Sequence, residues 1–174
     1  MLFRSIVRLD PGMAFGTGAH ETTRLCLQML EPLVTAETKV LDLGCGSGIL
    51  AVAAAKLGAR SALGLDIDEN AARVATENAA LNNVADRCEF LCEGLGKQEG
   101  QYDLVFANIV ADVIIAFASY MKNRLSPAGT LVCSGIIDTR AEEVTETLEQ
   151  AGLRIVETRA DGGWIACRCE KTGN

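Results

Sequence analysis

The chain has 174 residues, 49% of them hydrophobic and 22% charged, with a formal net charge of −7 at pH 7. That length suits one domain that buries its own core, and the composition excludes a disordered chain. The acidic balance counts against nucleic acid as a direct partner, because phosphate binding needs a basic surface, and it suits a small-molecule or basic protein substrate.

Residues 5–10, SIVRLD, alternate like a short strand, and Pro11-Gly12 turns the chain. Gly16 and Gly18 make a loop. His20 to Thr23 then supply the polar residues that open a helix, which continues at helical spacing over 24–30. This stretch reads either as a capped helix with a flexible leader or as a lid whose threonine and aromatic groups fold over a ligand. An apolar run at 40–43 predicts a buried strand. It breaks into GCGSG at 44–48 and passes straight into ILAVAAAKL at 49–57, a good helix former throughout. Strand, glycine turn and helix in that order put backbone N–H groups and a helix N-terminus at the carboxyl edge of a sheet, where α/β proteins bind nucleotides. A second apolar run at 62–66 ends in Asp66, 22 residues after Gly44. An acid at that distance sits at the end of the next strand, within reach of both hydroxyls of a ribose.

Glycine spacing separates two ligand classes. A dinucleotide fingerprint needs a third small residue for close helix–strand packing, and here that position is Ile49. The spacing G-x-G-x-G instead clears room for a ligand without phosphate, such as the amino-acid tail of S-adenosylmethionine. Without a ligand, the same residues would make only a tight turn.

From Asp68 the chain alternates regularly: a helix over 68–81 capped by Asp68 and stopped by Asn82-Asn83, a strand over 87–92, a polar loop over 93–101 and a strand over 102–107. A helix over 112–124, a turn at 126–129, a strand over 130–134 and a helix over 139–151 follow. Runs at 153–158 and 164–169 flank Asp161-Gly162-Gly163, a hairpin signal. The fold class is therefore α/β, a doubly wound, mostly parallel sheet of seven strands with an antiparallel C-terminal hairpin. Asn108 follows the fourth strand at the same carboxyl edge as the glycine turn. Its side-chain oxygen can accept a hydrogen bond from an amine, or the residue can simply cap the next helix.

The seven cysteines form no C-x-x-C pair, their number is odd, and Cys88, Cys92, Cys167 and Cys169 lie in strand-like runs. Reduced, buried small hydrophobes are expected, with no metal site. No apolar run reaches the length of a membrane span, and the opening MLFRS lacks the apolar core of a signal peptide, so the expected compartment is the cytoplasm.

Taken together, FGTGAHETT at 15–23, VLDLGCGSG at 40–48, GLDID at 64–68 and ANIVA at 107–111 resemble the catalytic domain of the bacterial methyltransferases that modify ribosomal large-subunit protein eleven. The resemblance covers nearly the whole chain and implies a class I methyltransferase fold. It also implies S-adenosylmethionine-dependent N-methylation of lysine ε-amines and an N-terminal α-amine on that protein. By the same resemblance, Thr23, Gly44, Gly46, Asp66 and Asn108 are the cofactor-binding positions. Asp66 would hold the ribose hydroxyls and Gly44 and Gly46 the methionine moiety. Thr23 would touch the cofactor from the lid side, and Asn108 would line the gap between methyl donor and amine.

Family members carry a separate N-terminal domain that grips the ribosomal protein. The expectation here is a single catalytic domain over 1–174, monomeric, with neither membrane nor direct nucleic-acid partner. Transfer of a methyl group from a sulfonium needs positioning and desolvation more than a strong base, so Asn108 is the expected catalytic residue. His20, the single histidine, is an alternative as general base or a helix cap. A same-fold enzyme for another protein or small amine, and a fragment that binds cofactor without transfer, remain open. Ile49 disfavours a nicotinamide oxidoreductase.

Overall fold

The computed structural model describes residues 6–10 and 18–173. Strands β1 (Lys39–Leu43), β2 (Ser61–Asp66), β3 (Cys88–Cys92), β4 (Tyr102–Asn108), β5 (Leu125–Ile137), β6 (Leu153–Asp161) and β7 (Trp164–Lys171) form one sheet in the order β3-β2-β1-β4-β5-β7-β6. The first five pair in parallel, and β7 runs antiparallel to both β5 and β6. Helices α1 (Glu21–Leu30), α2 (Ile49–Lys56), α3 (Glu69–Leu81), α4 (Ala111–Arg124) and α5 (Ala141–Gln150) cover its two faces. None of them is long and apolar enough to cross a membrane. The doubly wound layout with a closing hairpin is the one that the alternating runs predict.

Successive residues of a strand point to opposite faces, and the central strands are buried on both. Leu41 and Leu43 join Leu65, Val105 and Cys133 under Ile114 and Met121 of α4 and Val144 and Leu148 of α5. Val40 joins Leu104, Phe106 and Val132 under Leu25 and Met29 of α1 and Leu50 and Ala54 of α2. Strand order reverses at β1, whose neighbours β2 and β4 leave in opposite directions, and the carboxyl side of such a switch point is where α/β sheets bind ligands.

Two elements depart from the expected layout. The turn at 126–129 lies inside β5 as an irregularity: Tyr102 pairs with Leu125, and two residues later Leu104 pairs with Thr130. Pro127 cannot donate to a ladder, so the strand bulges around it and resumes. The leader 6–10 is not a strand of the sheet. Its backbone is held by side chains: Asn82 Oδ1 accepts from Arg8 N–H at 2.9 Å while Asn82 Nδ2 donates to the Arg8 carbonyl at 2.6 Å. Asn78 Oδ1 accepts from Asp10 N–H at 2.9 Å. An extended leader thus satisfies its peptides on asparagine amides rather than on a neighbouring strand. The Pro11-Gly12 turn and the Phe15, Gly16 and Thr17 part of the lid motif lie outside the described residues.

Candidate active site

The glycine turn is built by β1 running out against β2. Gly44 N–H and Cys45 N–H both donate to the Leu65 carbonyl, at 2.8 and 3.0 Å, and Gly48 N–H returns to the Cys45 carbonyl at 2.8 Å. Gly44 has φ +71°, and a Cβ there would lie 2.5 Å from Ile109 Cγ2, so only glycine lets the turn lie against the end of β4. Asp66, the last residue of β2, closes the turn from the other side. Its Oδ2 accepts from Gly46 N–H at 2.9 Å and its Oδ1 from Asp68 N–H at 3.0 Å. Gly44, Gly46 and Asp66 are therefore one hydrogen-bonded unit. Next to it Ile67 is 80% exposed, an apolar side chain at the open edge of a loop.

Thr23 and Asn108 form the opposite wall. Thr23 is buried in the first turn of α1, and Asn108 Nδ2 donates to its Oγ1 at 3.4 Å across 85 residues of sequence. With the nitrogen of the amide directed at Thr23, the oxygen is the end that can accept from another group. Ile109 N–H donates to the Ser134 carbonyl at 3.1 Å, which fixes the chain just beyond Asn108. His20 is elsewhere. It caps α1, its Nδ1 accepting from Thr22 N–H at 3.3 Å, and its ring meets Trp164 edge-on with centroids 5.1 Å apart. Capping accounts for the histidine, whose ring is turned to the β6–β7 hairpin.

Beneath the turn lies a carboxylate that the motif analysis does not single out. Asp42 of β1 is 1% exposed, and its Oδ2 accepts from Ala51 N–H in α2 at 3.3 Å. Burial pushes this carboxyl up from its ordinary value of 3.8 to about 7; the Ala51 N–H opposes that and the Asp66 charge reinforces it. The folded protein binds a proton that the unfolded chain releases at lower pH, so the contribution of Asp42 to stability falls as pH rises from about 4 to about 7 and is level above that. Relative to Asp42→Asn, the wild-type chain is expected to lose on the order of 3 kcal/mol between pH 5 and pH 8. Urea unfolding of both proteins at the two pH values measures this, and parallel pH dependences would refute it.

The family model for ribosomal protein L11 methyltransferase (PrmA) matches residues 4–172. The chain belongs to that family. Ribosomal protein L11 methyltransferases of Pelotomaculum thermopropionicum and Clostridium botulinum (strain Eklund 17B) are 49% and 47% identical to it, over 92% and 91% of the chain but 53% and 51% of their own lengths. The chain thus spans about half the length of the curated relatives it matches. The crystal structure of a ribosomal protein L11 methylase from Lactobacillus delbrueckii subsp. bulgaricus superposes with a TM-score of 0.90 at 34% identity, covering 96% of this chain and 86% of that one. The superposition shows that the fold is shared with that methylase.

All five positions singled out by the PrmA resemblance lie at the carboxyl ends of β1, β2 and β4 or against them, in two groups joined where Gly44 meets Ile109. Asp42, Ile67 and Asn78 are further residues of the site region that motif reading passes over. Each leaves a signal: an acid inside an apolar strand, an isoleucine between two acids, and an asparagine on the apolar stripe of α3. The thiols of Cys26 and Cys45 are pushed up by burial and stay protonated. Among the described residues no three metal-ligating side chains converge.

Proposed function

We propose that this chain is the S-adenosylmethionine-dependent catalytic part of a protein N-methyltransferase, acting on lysine ε-amines and/or the α-amine of ribosomal protein L11. The carrying observation is that Asn108, bonded to Thr23, and the Asp66–glycine unit stand at the carboxyl ends of the adjacent strands β4, β1 and β2, in a chain of the PrmA family.

The residues present fit the cofactor. Gly44 lets the turn lie tight against Ile109 with its backbone bare of a Cβ, and Asp66 has lone pairs beyond its two backbone partners for ribose hydroxyls. Ile67 offers an apolar ledge for the adenine. Bound here, the sulfonium supplies an electrophilic methyl group for in-line displacement. Thr23 closes the crevice from α1 and holds the Asn108 amide in one orientation. Asn108 Oδ1 accepts an N–H of the substrate amine, and a backbone carbonyl at the same edge is the second acceptor, so the nitrogen lone pair is aimed at the methyl. A free lysine, with a pKa near 10.4, is neutral in roughly one molecule in two thousand at pH 7. A crevice that excludes water disfavours the ammonium and raises that fraction, its proton leaving to solvent.

Calorimetric titration with S-adenosylmethionine, followed by transfer of labelled methyl to purified L11 in the same sample, tests the reading. Binding with transfer is the expected result. Binding without transfer would overturn L11 methylation by this chain unaided, and no binding would overturn the cofactor site.

A further inference from the structure

Asn78 is completely buried, and both ends of its amide are used by segments far apart in sequence. Its Nδ2 donates to the Ser47 carbonyl in the glycine turn at 2.9 Å, and its Oδ1 accepts from Asp10 N–H in the leader at 2.9 Å. The amide is planar, so the two bonds share one side-chain torsion, and rotating to keep one loses the other. Asn82, one helical turn on, grips the peptide of Arg8 with both ends of its own amide, and its Nδ2 also donates to the Asn78 carbonyl at 2.7 Å. The match is metric: two residues of extended chain advance about 6.6 Å and four residues of helix about 6 Å. Arg8 and Asp10 therefore meet Asn82 and Asn78 in register, and the leader runs along α3 as a strand with side-chain amides for a partner.

Ser47 and Gly48 share a peptide, and Gly48 N–H closes the turn on Cys45. Holding the Ser47 carbonyl sets the plane of that peptide in the turn which, on the reading above, receives the cofactor. We propose that Asn78 is a positioning residue for the cofactor turn whose hold is shared with the leader, so that seating residues 8–10 and binding S-adenosylmethionine favour each other. This rests on the turn being the cofactor site. Such coupling is reciprocal: whatever affinity the seated leader adds, the cofactor returns as protection of the leader.

The test uses the 174-residue chain with S-adenosylhomocysteine as probe. Hydrogen exchange at the Arg8 and Asp10 amides is followed with and without probe, and affinity is measured by calorimetry for wild type, Asn78→Ala, Asn82→Ala and the double variant. The probe is expected to slow exchange at Asp10 about fivefold or more, and Asn82→Ala, whose amide hydrogen-bonds the leader and α3 among the described residues, to weaken the probe by a similar factor. Because the leader reaches the turn through Asn78, the double variant is expected to bind no more weakly than Asn78→Ala alone. Wild-type binding with unchanged exchange at Asp10, or with Asn82→Ala at wild-type affinity, would overturn the coupling alone. Losses that multiply in the double variant would also overturn it. Failure of the wild-type chain to bind would overturn the cofactor reading and the coupling with it. Should Asn78→Ala not fold, wild-type exchange and Asn82→Ala still decide.

Discussion

Asp66→Ala is expected to weaken S-adenosylhomocysteine binding by about two to four orders of magnitude while leaving the protein folded. Each hydrogen bond to a charged group contributes about 1.5–3 kcal/mol, so losing both ribose hydroxyls removes about 3–6 kcal/mol. The same substitution frees Gly46 N–H and Asp68 N–H, whose bonds of 2.9 and 3.0 Å draw the two loops together, and a looser turn must be ordered on binding. Asp66→Asn separates the contributions. It keeps one acceptor oxygen but presents an N–H₂ where a backbone donor or hydroxyl expects an acceptor, and a loss of about ten- to a hundredfold is expected. Calorimetry on the three proteins, with circular dichroism as the check on folding, measures this. Affinity of the alanine variant within threefold of wild type would remove Asp66 from the site.

Asn108→Ala is expected to separate binding from turnover. The methyl donor is held mainly by the glycine turn and Asp66, so cofactor affinity should change only a few-fold. Turnover at saturating cofactor should fall about 10²- to 10³-fold, the usual consequence of removing one preorganised polar group from a transition state. Thr23→Val offers a graded companion. It deletes the hydroxyl that receives Asn108 Nδ2 at 3.4 Å, frees the amide to turn, and should lower turnover less than Asn108→Ala does. Single-turnover rates of methyl transfer to L11 discriminate. Full turnover in Asn108→Ala with normal cofactor binding would end the assignment of the amide as the orienting group.

The doubly wound sheet is legible because its strands and helices carry different hydrophobic periods and the glycine turn stands between the first pair. Of the five proposed site positions, Gly44, Gly46 and Asp66 stand out for a related reason: a tight turn after β1 demands glycine, and an acid at the end of β2 has a fixed offset from it, whereas Asn108 stands out by its place after β4 and Thr23 rests on the family resemblance. What the chain hides follows from long-range geometry. Alternation at 5–10 marks extended backbone without saying what pairs with it, and the partners, Asn78 and Asn82, stand 68 and 74 residues away. Pro127 and Gly129 read as a turn because local sequence cannot tell a bulge inside a long strand from a stop between two elements. Asp42 looks like one more strand residue until burial on both faces of β1 places a carboxyl where water does not reach.

The β6–β7 hairpin returns to the beginning of the chain. Arg24 pairs with Asp161 at 2.7 Å across 137 residues, Gly162 packs on Glu21, and Trp164 meets His20. During synthesis part of the surface that receives α1 is therefore translated late, since Asp161 follows Arg24 by 137 residues. Until that hairpin leaves the ribosome, the first turn of α1, which carries Thr23, lacks its Arg24–Asp161 and His20–Trp164 contacts. A nascent chain cut short before Asp161 would therefore carry the whole glycine turn while α1 lacked both of those clamps.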